Sequence, residues 1–187
     1  MLLNIIKTFG VALAIFLSTI LHISIAYILP HPFSFLNVIF FMILTFLLVF
    51  NRGFVVWLTF FTHFIIELYI VSTPFGVILF ASTMSILFAF WLYKNILTNH
   101  AWYVGVVLSI ITLAFYRTLY ILSLLILILV SKELVIDWVS LLISFLWEIL
   151  FTSLVVGLVY TFLLLAWPSI NKKSSGVGSF RLILPKK

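Results

Sequence analysis

The chain has 187 residues, of which 66% are hydrophobic and 7% are charged, and its formal net charge is +6. A soluble domain carries roughly 25% charged residues, so this composition excludes a water-soluble globule and predicts a protein dissolved in the lipid bilayer. Long unbroken apolar runs exclude a transmembrane barrel, whose strands alternate apolar and polar residues, and favour helices. The sequence has no cysteine, which excludes disulfides and thiolate chemistry.

Six apolar segments are long enough to be membrane spans, because a helix needs about 20 residues to cross the hydrocarbon core. In chain order they cover residues 3–29, 33–50, 54–71, 75–93, 101–130 and 138–167. Short polar or proline-containing stretches separate them, as at Pro30-His31-Pro32 and Asn51-Arg52-Gly53. We therefore predict an all-α, polytopic membrane protein, with a six-helix bundle over residues 1–170 and a basic tail over residues 171–187.

Basic residues collect on one side of this predicted topology. That side carries no acidic residue and holds Lys7, Arg52, Lys94, Lys172, Lys173, Arg181, Lys186 and Lys187. The other side holds Lys132, offset by Glu133 and Asp137. Cytoplasmic loops are enriched in Lys and Arg, so both termini are predicted to be cytoplasmic. The sidedness of the membrane thus explains the positive net charge, and no nucleic-acid partner is needed to account for it. The basic tail is expected to bind anionic lipid headgroups or a partner protein.

Three charged residues lie inside apolar segments, where a charge is costly unless it has a partner or a use. At 1.5 Å per residue, Glu67 and Arg117 lie about 20 Å from the cytoplasmic ends of their segments, and Glu148 lies about 15 Å from the outer end of its own. The three residues are therefore at similar depth. We predict that Arg117 pairs with Glu67, Glu148 or both, either as a structural ion pair or as part of a polar pocket for a ligand or a partner's side chain.

His63 and Glu67, four residues apart, resemble two metal ligands on one helix face. No third ligand is evident and the HExxH order is absent, so we predict neither a metal nor another cofactor. The sequence also has no Gly-rich phosphate loop and no nucleophile elbow. An enzyme would need an intramembrane site built from Glu67, His63 and Glu148, and the protein is predicted not to be an enzyme.

Small residues recur at four-residue spacing in several segments. Membrane helices associate through such stripes, which allow close approach of two backbones. We expect these residues to face the bundle interior or a partner helix, and those assigned to helix docking are Gly10, Ala14, Ser18, Ala81, Ser85 and Ala89.

Residues 30–120 resemble the MreD family, small polytopic proteins of the bacterial rod-shape system. The resemblance rests on a proline near the second span, the apolar span itself, a glycine opening the third, an acidic residue late in the third, a turn opening the fourth and a short basic linker after it. In this chain these are Pro30 or Pro32, Asn37-Val38-Ile39-Phe40, Gly53-Phe54-Val55, Glu67, Ser72-Thr73-Pro74-Phe75-Gly76 and Tyr93-Lys94-Asn95. Within the turn, Ser72, Pro74 and Gly76 are the family-like positions.

The resemblance implies a non-enzymatic scaffold in the bacterial cytoplasmic membrane. MreD-like proteins work in the elongation complex with a single-span, MreC-like partner. That complex joins actin-like filaments to peptidoglycan synthases of the RodA and penicillin-binding types, and it determines cell shape. The resemblance therefore implies that helix docking, rather than chemistry, is the task of this chain.

An alternative function comes from the substrate-binding subunits of energy-coupling-factor vitamin transporters. These are also six-span proteins of this size, and the two folds are thought to be alike. Such subunits dock through small residues in the first span, which Gly10, Ala14 and Ser18 imitate. They hold a vitamin near the outer face, where Glu67 and Arg117 would line a cavity.

Overall fold

The computed structural model describes residues 2–31, 33–69, 74–97, 101–131 and 137–166. Within these ranges the chain is all-α, as predicted. Its six α-helices are α1 (Leu2–Ile28), α2 (Val38–Phe50), α3 (Phe54–Tyr69), α4 (Val77–Asn95), α5 (Trp102–Ser131) and α6 (Trp138–Ala166). The predicted tail, residues 171–187, lies outside the described residues, as does Ser72 of the family-like turn.

Three of the helices are long and apolar enough to cross a bilayer: the segments Val77–Asn95, Tyr103–Val130 and Trp138–Ala166. By contrast, α2 and α3 have 13 and 16 residues. At 1.5 Å per residue they are about 20 and 24 Å long, which is less than the ~30 Å hydrocarbon core. The prediction of a continuous second helix from residue 33 was wrong, because Phe33–Phe35 form a separate 3-10 turn and α2 begins only after Asn37.

Large apolar side chains cover the outside of the bundle. Phe162 and Leu165 on α6 are 68% and 78% exposed, and Leu129 on α5 is 78% exposed. Soluble proteins rarely expose contiguous apolar surface of this kind. The distribution fits a protein whose surroundings are lipid.

Helix α2 lies at the centre of the bundle. It contacts α1, α3, α5 and α6, and seven of its residues are buried. All of its residues except Thr45 are apolar. One face, with Phe40, Leu44 and Leu47, is buried, whereas the opposite face is only partly buried and ends at the exposed Phe50.

Both ends of α2 are fixed by hydrogen bonds. At the start, the Asn37 side chain accepts from the backbone N–H of Phe40 at 3.1 Å. At the end, Asn51 adopts a left-handed conformation, with φ 47°, and its N–H donates to the Leu47 carbonyl. The Tyr93 hydroxyl of α4 donates to the Leu48 carbonyl at 3.2 Å. Side-chain caps and a left-handed terminal residue are the usual means of satisfying helix-end backbone groups.

Most buried hydroxyl groups bond within their own helix rather than between helices. Thr59, Thr62 and Thr112 each donate to the carbonyl four residues earlier, at 2.6 to 2.8 Å. Ser85 does the same to Ala81 at 2.5 Å. These residues therefore satisfy their polar groups locally, and they join the helices through small size rather than through interhelical hydrogen bonds.

The stripes assigned to helix docking have different environments. Ala81, Ser85 and Ala89 of α4 are fully buried, and Ser18 of α1 is buried as well. The α4 residues are thus occupied by the chain's own helices, so they do not form a free surface for a partner. Gly10 is exposed, with no atom within 4 Å of where a side chain would begin. The side chain of Ala14 lies outside the described residues.

Two glycines set the distance between α5 and α6. A Cβ atom placed on Gly157 would lie 2.4 Å from Val106 Cγ2, and one on Gly105 would lie 3.1 Å from Tyr160 Cβ. Each helix thus supplies a glycine that receives a side chain of the other. Both glycines belong to series of small residues at four-residue spacing, Gly105 with Ser109 and Gly157 with Ser153 and Thr161.

Replacing Gly157 by Ala is expected to destabilise the bundle by about 1–3 kcal/mol, because the new methyl group overlaps a branched side chain with one preferred rotamer. The double variant Gly157→Ala/Val106→Ala should recover most of the loss. Thermal unfolding of the purified protein in detergent measures both effects. Gly10→Ala is the matched control and should leave the unfolding temperature unchanged or slightly raised. Equal losses in the two glycine variants would contradict the packing described for Gly157.

Candidate functional site

An ion pair inside the bundle joins α5 to α6. The Arg117 guanidinium contacts Glu148 Oε2 through Nη2, and Arg117 Nε donates to the same oxygen at 2.5 Å. The Glu148 side chain is 4% exposed and that of Arg117 is 20% exposed. A buried pair of this kind is stable only when the other lone pairs of the carboxylate are also satisfied.

Asn37 supplies that second partner. Its Nδ2 donates to Glu148 Oε1 at 2.7 Å, and its backbone N–H donates to Thr152 Oγ1 at 3.0 Å. Asn37 also caps α2, so one residue connects the central helix to α6. We call Asn37, Arg117, Glu148 and Thr152 the polar node.

Two tyrosine rings flank the arginine. The Arg117 guanidinium carbon lies 5.5 Å from the ring centroid of Tyr116 and 5.7 Å from that of Tyr120. A guanidinium within about 6 Å of an aromatic face gains electrostatic attraction from the ring, and more so where water is excluded. The rings therefore stabilise the cation together with Glu148.

Glu67, the other predicted partner of Arg117, lies elsewhere. Its carboxylate accepts from the backbone N–H groups of Ile78 at 2.9 Å and Leu79 at 3.3 Å. Ile78 and Leu79 lie in the first turn of α4, where free N–H groups and the helix dipole favour an anion. The depths estimated from the sequence were similar, but Glu67 stabilises the start of α4 instead of pairing with Arg117.

The same contact links Glu67 to the helix start that follows Pro74 and Gly76. The residue preceding α4 is Gly76, which has a φ of 100° and no side chain with which to cap the helix. Glu67 provides the cap from the neighbouring helix α3. Together with Pro74, whose carbonyl accepts from the Val77 N–H, these residues form one structural unit at the start of α4, which we call the α3–α4 corner.

His63 is buried beside α2. Its Nδ1 lies 3.0 Å from the Thr59 carbonyl, and its ring meets the edge of Phe40 at 5.7 Å between centroids. A carbonyl can only accept, so Nδ1 carries the proton and, in the neutral ring, Nε2 is an acceptor. No group of three or more metal-ligating side chains is found among the described residues.

A cavity of 230 Å³ adjoins the polar node, and we call it the polar pocket. It combines charged and polar side chains with an apolar wall. The residues that line it are His22, Ser34, Phe35, Leu36, Asn37, Ile39, His63, Ile66, Ile78, Tyr116, Arg117 and Glu148. All six helices and the connection before α2 thus contribute to one cavity.

The polar pocket lies at the mid-height of the α5–α6 pair. From Arg117, α5 continues for fourteen residues, and α6 begins ten residues before Glu148, so the two helices extend beyond the pocket by about 21 and 15 Å. In contrast, α3 ends three residues after Ile66 and α4 begins one residue before Ile78. The corner at the end of α3 is therefore recessed relative to the α5–α6 pair.

Sequence reasoning identified the charged members of the site but missed Asn37, Thr152 and His22 in it. The signal for Asn37 was present, since Asn directly before an apolar run is a common helix N-cap. No local signal places Asn37 against residues more than one hundred positions later in the chain. The basic tail residues Lys172, Lys173, Arg181, Lys186 and Lys187 lie outside the described residues.

Comparisons with protein-family models, with curated proteins and with solved structures find no match.

Removing the arginine alone should be more damaging than removing the whole pair. Arg117→Met leaves the Glu148 carboxylate buried without its cation, at a cost of about 3–5 kcal/mol. Arg117→Met/Glu148→Gln should recover most of that loss, since the amide oxygen still accepts from Asn37. Thermal unfolding in detergent compares the two. Arg117→Met/Glu67→Gln is the control and should show no recovery, and a recovery there would contradict the pairing with Glu148.

Glu67→Gln is expected to destabilise the protein by about 1–3 kcal/mol, because it removes the charge from two hydrogen bonds at the start of α4. Hydrogen exchange at Ile78 and Leu79 should increase with the loss of stability. Asp137→Asn offers a matched change at an exposed helix start, where Asp137 accepts from the Ser140 N–H at 3.2 Å. Asn and Asp are equally good N-cap residues, so this control should leave the stability of the protein nearly unchanged. A neutral Glu67→Gln would exclude the capping role.

Proposed function

We propose that this protein is a non-enzymatic scaffold of the bacterial cytoplasmic membrane, of the MreD-like type, that docks a single-span, MreC-like partner in the cell-wall elongation complex. In this proposal the chain crosses the membrane six times and both termini are cytoplasmic. The other members of the elongation complex would be the RodA-type and penicillin-binding synthases and the actin-like filament.

The α3–α4 corner supports the resemblance on which this proposal rests. Glu67, Pro74 and Gly76 are separate positions in the sequence pattern, yet they form one unit around the first turn of α4. A pattern whose parts depend on each other physically is less easily produced by unrelated apolar sequences. The corner therefore gives the shared positions a structural reason.

A groove between α5 and α6 is the surface that fits a partner helix best, and it is the observation that carries the docking role. It has a volume of 1130 Å³, with an almost wholly apolar lining. Exposed side chains such as Leu154, Leu158 and Phe162 line it, whereas Gly157 already receives Val106 of this chain. An apolar groove between two helices offers a second helix van der Waals packing in lipid.

The docking role predicts that filling this groove blocks partner capture. Leu154→Trp and Leu158→Trp should each reduce recovery of the MreC-like protein in a mild-detergent pull-down at least tenfold, equivalent to about 1.4 kcal/mol. Phe61→Trp, on the exposed face of α3, is the matched control and should capture normally. The unfolding temperatures of all three should agree, which separates loss of docking from loss of folding. No recovery of a single-span partner by the unaltered chain would overturn the proposal.

The polar pocket favours a second candidate, a substrate-binding subunit of an energy-coupling-factor vitamin transporter. With cytoplasmic termini, the pocket would lie in the middle-to-outer part of the membrane, and such subunits hold their ligand near the outer face. The same pull-down distinguishes the candidates. An ATPase module in place of a single-span protein would support the transporter function.

A further inference from the structure

The polar pocket contains hydrogen-bonding groups that the protein itself leaves without partners. Both oxygens of Glu148 are occupied, one by Arg117 and one by Asn37. Arg117 bonds through Nε and Nη2, whereas its Nη1 has no partner among the described residues. Because Arg117 lines the pocket and is partly exposed, this free edge is available to an acidic group.

Histidine nitrogens provide a second set of contacts in the same cavity. His22 Nδ1 is buried and has no hydrogen-bond partner within the described ranges. His63 uses Nδ1 on the Thr59 carbonyl, so its Nε2 is an acceptor in the neutral ring. A buried nitrogen without a partner is costly, and a ligand that carries N–H groups would satisfy it.

Charge balance limits the kind of ligand. Arg117 and Glu148 cancel each other, and with neutral histidines the side chains that line the pocket have no net charge. A ligand with a net charge would bring an uncompensated charge into the interior of a membrane protein. A ligand that pairs an acidic group with a basic one keeps the balance and still satisfies both sets of contacts.

The volume limits its size. The cavity of 230 Å³ corresponds to about eight water molecules, at the ~30 Å³ that each takes in the liquid. A compact molecule of about ten non-hydrogen atoms fits that space. Free α-amino acids and the phosphoethanolamine headgroup of a lipid are both of this size.

We propose that the polar pocket binds a compact zwitterion, with its carboxylate or phosphate on the free edge of Arg117 and its ammonium group at the ring nitrogens of His22 and His63. The site involves a different surface from the α5–α6 groove, so it does not depend on the scaffold function. It would supply the transporter candidate with a substrate class. A free amino acid and a lipid headgroup share the chemistry, and they differ in how they reach the site.

Two measurements on the full-length protein test this proposal and separate the sources. In detergent, each of the twenty L-amino acids is added and the unfolding temperature recorded. In nanodiscs, phosphatidylethanolamine is compared with phosphatidylcholine, which has the same charges but no N–H group on its nitrogen. A bound zwitterion should raise the unfolding temperature by about 5 °C at a hundredfold excess over Kd. An effect of an amino acid identifies a free ligand, and an effect of phosphatidylethanolamine alone identifies a headgroup.

Variants locate the effect in the pocket. His22→Phe removes the unpartnered nitrogen and Ser34→Leu reduces the volume, while neither disturbs the polar node. Both should abolish the rise in unfolding temperature, whereas Lys94→Gln, outside the pocket, should retain it. Stabilisation that persists in His22→Phe and Ser34→Leu would overturn the proposal. So would the absence of any rise with all twenty amino acids and equal stability in the two lipids. Partner capture through the groove is measured separately, so this failure would not count against the scaffold function.

Discussion

The carboxylate of Glu148 is the constraint on which the arrangement of the bundle depends. A charged group in the interior of a membrane protein is tolerated only when each of its oxygens has a partner. Here one oxygen is held by Arg117 of α5 and the other by Asn37 at the start of α2. Since Glu148 itself belongs to α6, three helices must meet at one point for the charge to be satisfied. The position of α2 at the centre of the bundle follows from this requirement together with its apolar surface.

Elsewhere in the interior, most buried serine and threonine hydroxyls of the described residues bond within their own helices. Thr59, Thr62 and Thr112 bond to carbonyls of the preceding turn, so they place no condition on neighbouring helices. Helix association at those positions depends on size and shape, most clearly where Gly157 receives Val106. Interhelical polar contacts among the described residues include the polar node, the α3–α4 corner and the bonds of Tyr93 to α2 and to Tyr160 of α6. The polar pocket adjoins the polar node and provides hydrogen-bonding groups within a largely apolar bundle.

The two proposed activities use opposite sides of α6. Glu148 and Thr152 face the interior, whereas Leu146, Leu150 and Leu154 face outward and line the groove. A helix with this division can hold a ligand on one side and a partner on the other. Because the α3–α4 corner is recessed, the end of α5 and the start of α6 extend beyond α3 and α4. The apolar side chains at this end of α5 are exposed, as Leu129 and Val130 show.

Much of the architecture was determined by the sequence alone, because apolar run length and helix-ending residues are local properties. Five of the six helices have boundaries within two residues of those predicted, and the exception, α2, reflects an N-cap at Asn37 that the apolar count overlooked. The sequence also identified Arg117, Glu67 and Glu148 as costly charges needing partners. The choice between the two carboxylates required the tertiary structure, since similar depth along separate helices does not fix which faces meet. Likewise, only the packed bundle showed that Ala81, Ser85 and Ala89 are occupied internally, and that His22, Asn37 and Arg117, distant in the chain, enclose one pocket.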